Sequence, residues 1–302
     1  MIDTVRYYQD WEFLKDPPIG KFMFRLDADS DLRVGGKNSI IQWVEVSLPR
    51  MVYDDNYRLI ASQAKIDEAF AKIDSILKKI AKPISELRHF TRVDLVWHFP
   101  SAPPQKFLFC HEHANHPDVK KSVAVYRNNF KVNTVEWRGD KIKIKMYDKT
   151  NKKIKSPRSV VRVEIELRGT KLRKEFQNNK KAPVNQLMLM ECYLVYRAIL
   201  QKFRPKTVKK LKAKDEALFH AEMHGFQIIE KLISTMEMQA ARKFRQKFQA
   251  YAFKHYQIDW DKLLPANSLP KKFDSISRKP SKKFSFPKTN PKRTTKMRVR
   301  EI

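Results

Sequence analysis

The chain is 302 residues long and carries 63 Lys and Arg against 33 Asp and Glu, a formal net charge of +30 at pH 7. That imbalance exceeds what solubility requires and points to a polyanion, nucleic acid before a membrane surface, because each cation set against a phosphate releases a condensed counterion. No run approaches the roughly 18 apolar residues of a spanning helix, and GxxxxGK[ST], HExxH, CxxC and GxSxG patterns are all missing, which excludes a P-loop motor and the commonest zinc and serine hydrolase sites.

Met1-Ile-Asp-Thr-Val-Arg has no basic stretch followed by an apolar one, so no signal peptide is expected. The two cysteines, Cys110 and Cys192, lie far apart, which suits a reducing compartment and a cytoplasmic protein. Residues 22–26 lead into a turn at 27–30, and residues 31–34 run on to Gly35-Gly36. Residues 40–48 alternate as a strand does, and Pro49 ends them. Ile66, Phe70, Ile73, Ile76, Leu77 and Ile80 form one helical stripe that stops before Pro83. Residues 91–99 predict the next strand, closed by Pro100. Residues 132–146 predict a hairpin turning at Arg138-Gly-Asp140, and residues 160–167 a further alternating strand.

After Lys171 the period changes to a helical one. An apolar helix is expected over 187–203 and one or two helices over 218–256. Residues 263–302 hold 12 Lys or Arg, 2 acids and 5 prolines, the composition of a disordered basic tail. The fold class is therefore α+β, with a sheet-based unit at 1–176, a helical region at 177–262 and the tail at 263–302.

Tyr147 lies in the alternating run Lys141-Ile-Lys-Ile-Lys-Met-Tyr-Asp-Lys149. A phenolate is a nucleophile, and adjacent cations such as Lys145 and Lys149 favour it. Three acids, Glu45, Asp94 and Glu164, each interrupt an otherwise apolar strand, where a carboxylate is costly unless paired or placed on a metal. Their hard oxygens suit Mg²⁺ or Mn²⁺, with His98 able to add a nitrogen. Alternation places Asp94 with Val96 and His98, Glu164 with Arg162 and Glu166, and Glu45 with Trp43. Cys110-His-Glu-His-Ala-Asn-His116 is expected to be an exposed connection, since its histidine spacing fits neither a helix nor a sustained strand. Trp97 and Trp137 are available for base stacking or for core packing, with packing the commoner use.

Taken in order, Val44-Glu-Val-Ser-Leu-Pro49, Thr91-Arg-Val-Asp94, the Trp137 hairpin running to Tyr147-Asp-Lys149, and Val161-Arg-Val-Glu164 resemble the gene II replication proteins of filamentous phages. They are also similar to the related replication initiation factors of rolling-circle plasmids, nucleases of the HUH endonuclease superfamily. The resemblance covers residues 20–176, and the Met-Ile-Asp start fits it. Where the superfamily carries its His-hydrophobic-His signature, this strand reads Asp94-Leu-Val-Trp-His98.

The resemblance implies an HUH-type antiparallel-sheet core with helices on the sheet. It implies a metal-dependent DNA endonuclease and strand transferase with Tyr147 as nucleophile and Lys149 beside it. Asp94, Glu164 and Glu45 would hold Mg²⁺ or Mn²⁺, and Arg92, Arg162, Lys143 and Lys145 would meet DNA. The partners would be double- and single-stranded origin DNA with a host helicase and polymerase, in the host cytoplasm. The competing expectation is a DNA-binding protein for packaging or coating a genome, in which Tyr147 is structural.

Overall fold

The computed structural model describes residues 1–15, 17–100, 107–108, 111, 114–119, 122–128, 131–149, 160–177, 182–203, 213, 215–218, 232, 234–255 and 260–264. The expected basic tail falls outside these residues except for Leu263 and Leu264. So does most of the 204–231 stretch.

The described strands are β1 (Ile2–Phe13), β2 (Lys21–Asp27), β3 (Leu32–Lys37), β4 (Ile40–Ser47), β5 (Ala81–Pro83), β6 (His89–Pro100), β7 (Ser122–Asn128), β8 (Lys131–Arg138), β9 (Ile142–Asp148) and β10 (Val160–Arg168). They form one sheet in the order β2-β3-β4-β1-β6-β10-β9-β8-β7, with β5 paired to β1, and every pairing is antiparallel. The helices are α1 (Leu48–Tyr53), α2 (Gln63–Leu77), α3 (Gly169–Gln177), α4 (Leu189–Leu200), α5 (Met238–His255) and α6 (Trp260–Leu263). The architecture is α+β, as its alternating segments imply.

β10 shows why these residues make a sheet with two unlike faces. Val161, Val163, Ile165 and Leu167 are fully buried, while Arg162, Glu164, Glu166 and Arg168 point the other way. Opposite them, Trp97, Leu95 and Val93 of β6 and Met146, Ile144 and Ile142 of β9 continue the apolar layer. Each fully buried aliphatic side chain contributes about 1.5–3 kcal/mol by leaving water.

Helices cover that apolar face. α2 starts at Ser62, whose hydroxyl accepts from the Lys65 N–H, and it buries Ile66, Ala69, Ile73 and Leu77. Its Phe70 meets Tyr7 of β1 and Phe90 of β6 edge-on, at ring separations of 6.1 and 5.8 Å. Across the sheet, α4 sets Tyr193 at 5.9 Å from the Trp97 ring, and the Tyr196 hydroxyl donates to the Val163 carbonyl at 3.0 Å. The 132–146 hairpin forms as expected, with the Gly139 N–H donating to the Ile142 carbonyl to close the turn. Pro49 ends β4 and opens α1, the helix position where its missing N–H costs nothing.

β1 and β7 are elements that residue patterning does not announce. β1 nonetheless lies near the middle of the sheet, between β4 and β6. Its register slips between Ile2 and Val5, between Arg6 and Tyr7, and between Tyr8 and Trp11. The first slip puts Asp3 out of step, while from Val5 to Glu12 burial alternates with a period of two; the extra residue of the second slip lies on β6, between Arg92 and Phe90.

Candidate active site

Strand register assembles the polar face row by row. Tyr147 lies opposite Arg162, and Arg162 opposite His98; the next row is Lys145, Glu164 and Val96, and the one after is Lys143, Glu166 and Asp94. Arg168 and Arg92 follow, and from Arg92 the row crosses β1 at Arg6 to Glu45 of β4 and Arg33 of β3. Eight of the nine residues singled out for a site thus fall on one face of one sheet, and Lys149 follows just past the end of β9. They do not form one cluster.

The first cluster is centred on Arg162, whose side chain is 1% exposed. The Tyr147 hydroxyl donates to Glu164 Oε1 at 2.7 Å, and the same oxygen accepts from Arg162 Nε at 2.6 Å. Arg162 also pairs with Asp3 Oδ2 at 2.7 Å and donates to the Asn56 carbonyl at 2.8 Å. Lys149 Nζ donates to Asn56 Oδ1 at 3.1 Å and lies 4.5 Å from the centre of the Tyr57 ring. Lys145 Nζ lies 4.6 Å from the centre of the Tyr147 ring. The segment after α1 therefore closes over this end of the face and makes it a niche. Asp3 and Asn56 belong to the niche, and no motif marks either. Asp3 is hidden by the slips of β1, and Asn56 by its place in a turn-rich connection.

Electrostatics in the niche correct one expectation. Burial, and then the Glu164 carboxylate, push the Tyr147 phenol well above its usual range; Arg162 opposes them and loses. The lysines do not make a resting phenolate: the phenol is protonated, with its proton aimed at a carboxylate. Burial and then the Arg162 charge move Lys149 the other way, lowering it from the ordinary ammonium range. Burial, with Arg162 adding to it, holds His98 far below the ordinary imidazole range, so it is neutral.

The second cluster is centred on Arg92. Its Nε and a terminal nitrogen grip Asp94 at 2.9 and 2.6 Å, and the guanidinium reaches Glu166 at 3.2 Å and Glu45 at 3.5 Å. Arg6 takes Glu45 at 2.7 Å, and Arg168 takes Glu166. Burial raises the Asp94 carboxyl to about 7 against the pull of the Arg92 fork. Lys143 turns toward Glu136, at 3.3 Å.

The three acids proposed for a cation are thus divided. Asp94 and Glu45 share Arg92, whereas Glu164 belongs to Arg162. Among the described residues, no three His, Cys, Asp or Glu side chains come together as a metal group. In this arrangement the three carboxylates are salt-bridge partners, each answered by a guanidinium, and they do not fit a shared cation.

One other expectation fails. His111 and His116 are buried, not exposed: ring nitrogens of the two hydrogen-bond the Phe107 and Ile199 carbonyls at 2.8 and 3.0 Å. They pack the core, His111 against the Phe107 ring at 4.7 Å and His116 against the Phe203 ring at 4.9 Å. Trp97 and Trp137 take the commoner of the two roles expected for them and pack in the core, the latter donating to the Ala114 carbonyl.

No family model, curated protein or solved structure matches this chain. Among the described residues no helix is long and apolar enough to cross a membrane.

Proposed function

We propose that this protein is a DNA-nicking enzyme that starts rolling-circle replication through a tyrosine nucleophile. One observation carries the reading: the Tyr147 hydroxyl donates to a carboxylate that a buried arginine holds in place. A nucleophile, its base and the group orienting that base form the relay that covalent catalysis requires.

The step balances within the niche. Tyr147 Oη attacks the scissile phosphorus in line, forming a tyrosyl O–P bond while the P–O3′ bond breaks. The phenol proton passes to Glu164. The departing 3′-oxygen takes a proton, for which Lys149, made more acidic by burial and by Arg162, is the donor in the cluster. A 5′-phosphotyrosine link and a 3′-hydroxyl primer result. The link conserves the energy of the cut bond, so rejoining needs no nucleotide triphosphate. Lys145, beside the attacking ring, neutralises charge gathering on the phosphate. Arg162 has its donors turned to Asp3, Glu164 and Asn56, so it is a positioning residue. Mg²⁺ or Mn²⁺ dependence stays within the proposal as a measured quantity, read by comparing Mn²⁺ with EDTA, and no step above passes through an ion.

The proposed partners are origin DNA, double- and single-stranded, a host polymerase that extends the primer and a host helicase that unwinds ahead of it, in the host cytoplasm. The competing reading, a genome-binding protein with a structural Tyr147, draws on one observation: the phenol is mostly buried and protonated. Tyr147→Phe separates the two. The nickase reading predicts complete loss of nicking with DNA affinity and its salt dependence unchanged; a binding protein shows no nicking with either sequence.

A further inference from the structure

Beyond Arg92 the polar face continues toward β4 and β3, and its character changes. Tyr8, Trp43 and Gly35 lie in one cross-strand row on β1, β4 and β3, with Met23 of β2 next to Gly35. Tyr8 is 49% exposed and Met23 is 70% exposed. The Arg6 guanidinium lies over the Trp43 ring, 4.7 Å from its centre. The ring has room because residue 35 has no side chain: a Cβ there would stand 2.4 Å from a ring carbon. Arg25 and Arg33 flank the row on β2 and β3. An exposed tyrosine beside a half-buried tryptophan, interleaved with arginines on a sheet face, suits unpaired bases and their phosphates together. The +30 charge of the chain disfavours a basic partner.

The geometry points to a single-stranded nucleic acid platform on this end of the sheet, in which Tyr8 and the Arg6–Trp43 stack receive unpaired bases. The platform lies on the same face as Tyr147, three strands across and nine residues along, roughly 30 Å away by strand spacing and rise. A strand following that path covers about nine nucleotides at the 3.4 Å rise of stacked bases. The inference rests on the proposal that this face takes DNA, but not on cleavage. It gives the niche a distant anchor that holds the strand across the face.

The test uses three probes of equal length: a 20-nucleotide oligothymidine, the same backbone without bases, and a 20-base-pair duplex. Of the five tryptophans, Trp11, Trp97, Trp137 and Trp260 are buried, so quenching of tryptophan fluorescence by bound bases reports on Trp43. Oligothymidine is expected to quench the intact chain, and Trp43→Phe to remove the quenching. Tyr8→Ala is expected to weaken oligothymidine binding roughly 5- to 150-fold, the range for loss of one stacked base, with no change in salt slope. Binding of the abasic strand should not respond to Tyr8→Ala, and Tyr8→Phe should restore oligothymidine affinity. Thermal melting confirms that each variant is folded.

Equal losses for oligothymidine and the abasic strand, or no loss for either, would overturn the platform. So would duplex binding as tight as single-strand binding with no response to Tyr8→Ala. The nicking assay reads a separate property. Normal nicking with an inert Tyr8 removes the platform alone; a responsive Tyr8 in a protein that never nicks removes the nickase reading alone.

Discussion

The two ends of the polar face use the same residue types for opposite purposes. At the niche, Arg162 is 1% exposed and bound to Asp3, Glu164 and Asn56, so its charge is spent on holding other groups still. At the open end, Arg6 is 42% exposed and rests on Trp43 while pairing with Glu45. Burial is what separates them. A desolvated guanidinium must be matched by fixed partners, whereas a half-exposed one can exchange a carboxylate for a phosphate at little cost. The lesson is that a basic residue on a basic protein is not by itself a DNA contact. Under the proposed reading the niche orients the reacting groups and the open end binds the strand.

That contrast can be broken most sharply through activity. Glu164→Gln keeps the shape of the niche but removes the base, and nicking is expected to fall roughly 100- to 10,000-fold. Glu45→Gln weakens the pairs with Arg6 and Arg92 but touches no group of the niche, and is expected to lower nicking less than about fivefold. Single-turnover rates at saturating DNA measure both, and similar losses for the two would dissolve the distinction between the ends.

Stability offers the next test. Arg162→Met strands the carboxylates of Asp3 and Glu164 and should cost about 3–5 kcal/mol, while Arg6→Met should cost about 1 kcal/mol or less. Urea melts of both variants decide it.

Acid should act on the interior more than on the open end. Burial holds His98, His111 and His116 below the ordinary imidazole range of 6.5, His111 at about 4. As pH falls below about 6.5 the unfolded chain binds protons that these folded histidines refuse, so their contribution to stability is full above that pH and declines toward pH 4, while Asp94, with its carboxyl raised to about 7, works in the opposite direction. His111 alone accounts for about 3 kcal/mol of that decline. His111→Phe, which keeps the ring, should flatten the fall; an equally steep fall would mean other groups carry it.

The smallest effect is expected at Lys145. Lys145→Ala should leave folding intact and reduce the salt slope of DNA binding by about 0.9, the release of one counterion.

How much of this was legible depends on alternation. β9, β10 and the part of β6 from Arg92 onward keep a period of two, so the facing of Asp94, Glu164 and Tyr147 could be read directly from the residues. β1 was harder to place: Arg6 and Tyr8 keep one phase, but the slip between Ile2 and Val5 puts Asp3 out of step with them. Pairing partners were less accessible still: Arg162 meets Asp3 and Arg92 meets Glu45 only through the register of distant strands. The protonated phenol followed from burial, and burial came from the segment around Asn56, whose sequence carries no periodic signal. His111 and His116 read as solvent-exposed because polar residues in a connection usually are; here hydrogen bonds to buried carbonyls make burial affordable.

The central claim is that Tyr147 forms a covalent bond to DNA. Labelled single-stranded oligonucleotides spanning the protein's own replicon, incubated with Mn²⁺ or EDTA and separated on a denaturing gel, test it directly. The account predicts a protease-sensitive adduct that disappears in Tyr147→Phe and drops sharply in Glu164→Gln. Binding of every oligonucleotide without an adduct, or an adduct that survives Tyr147→Phe, would contradict it.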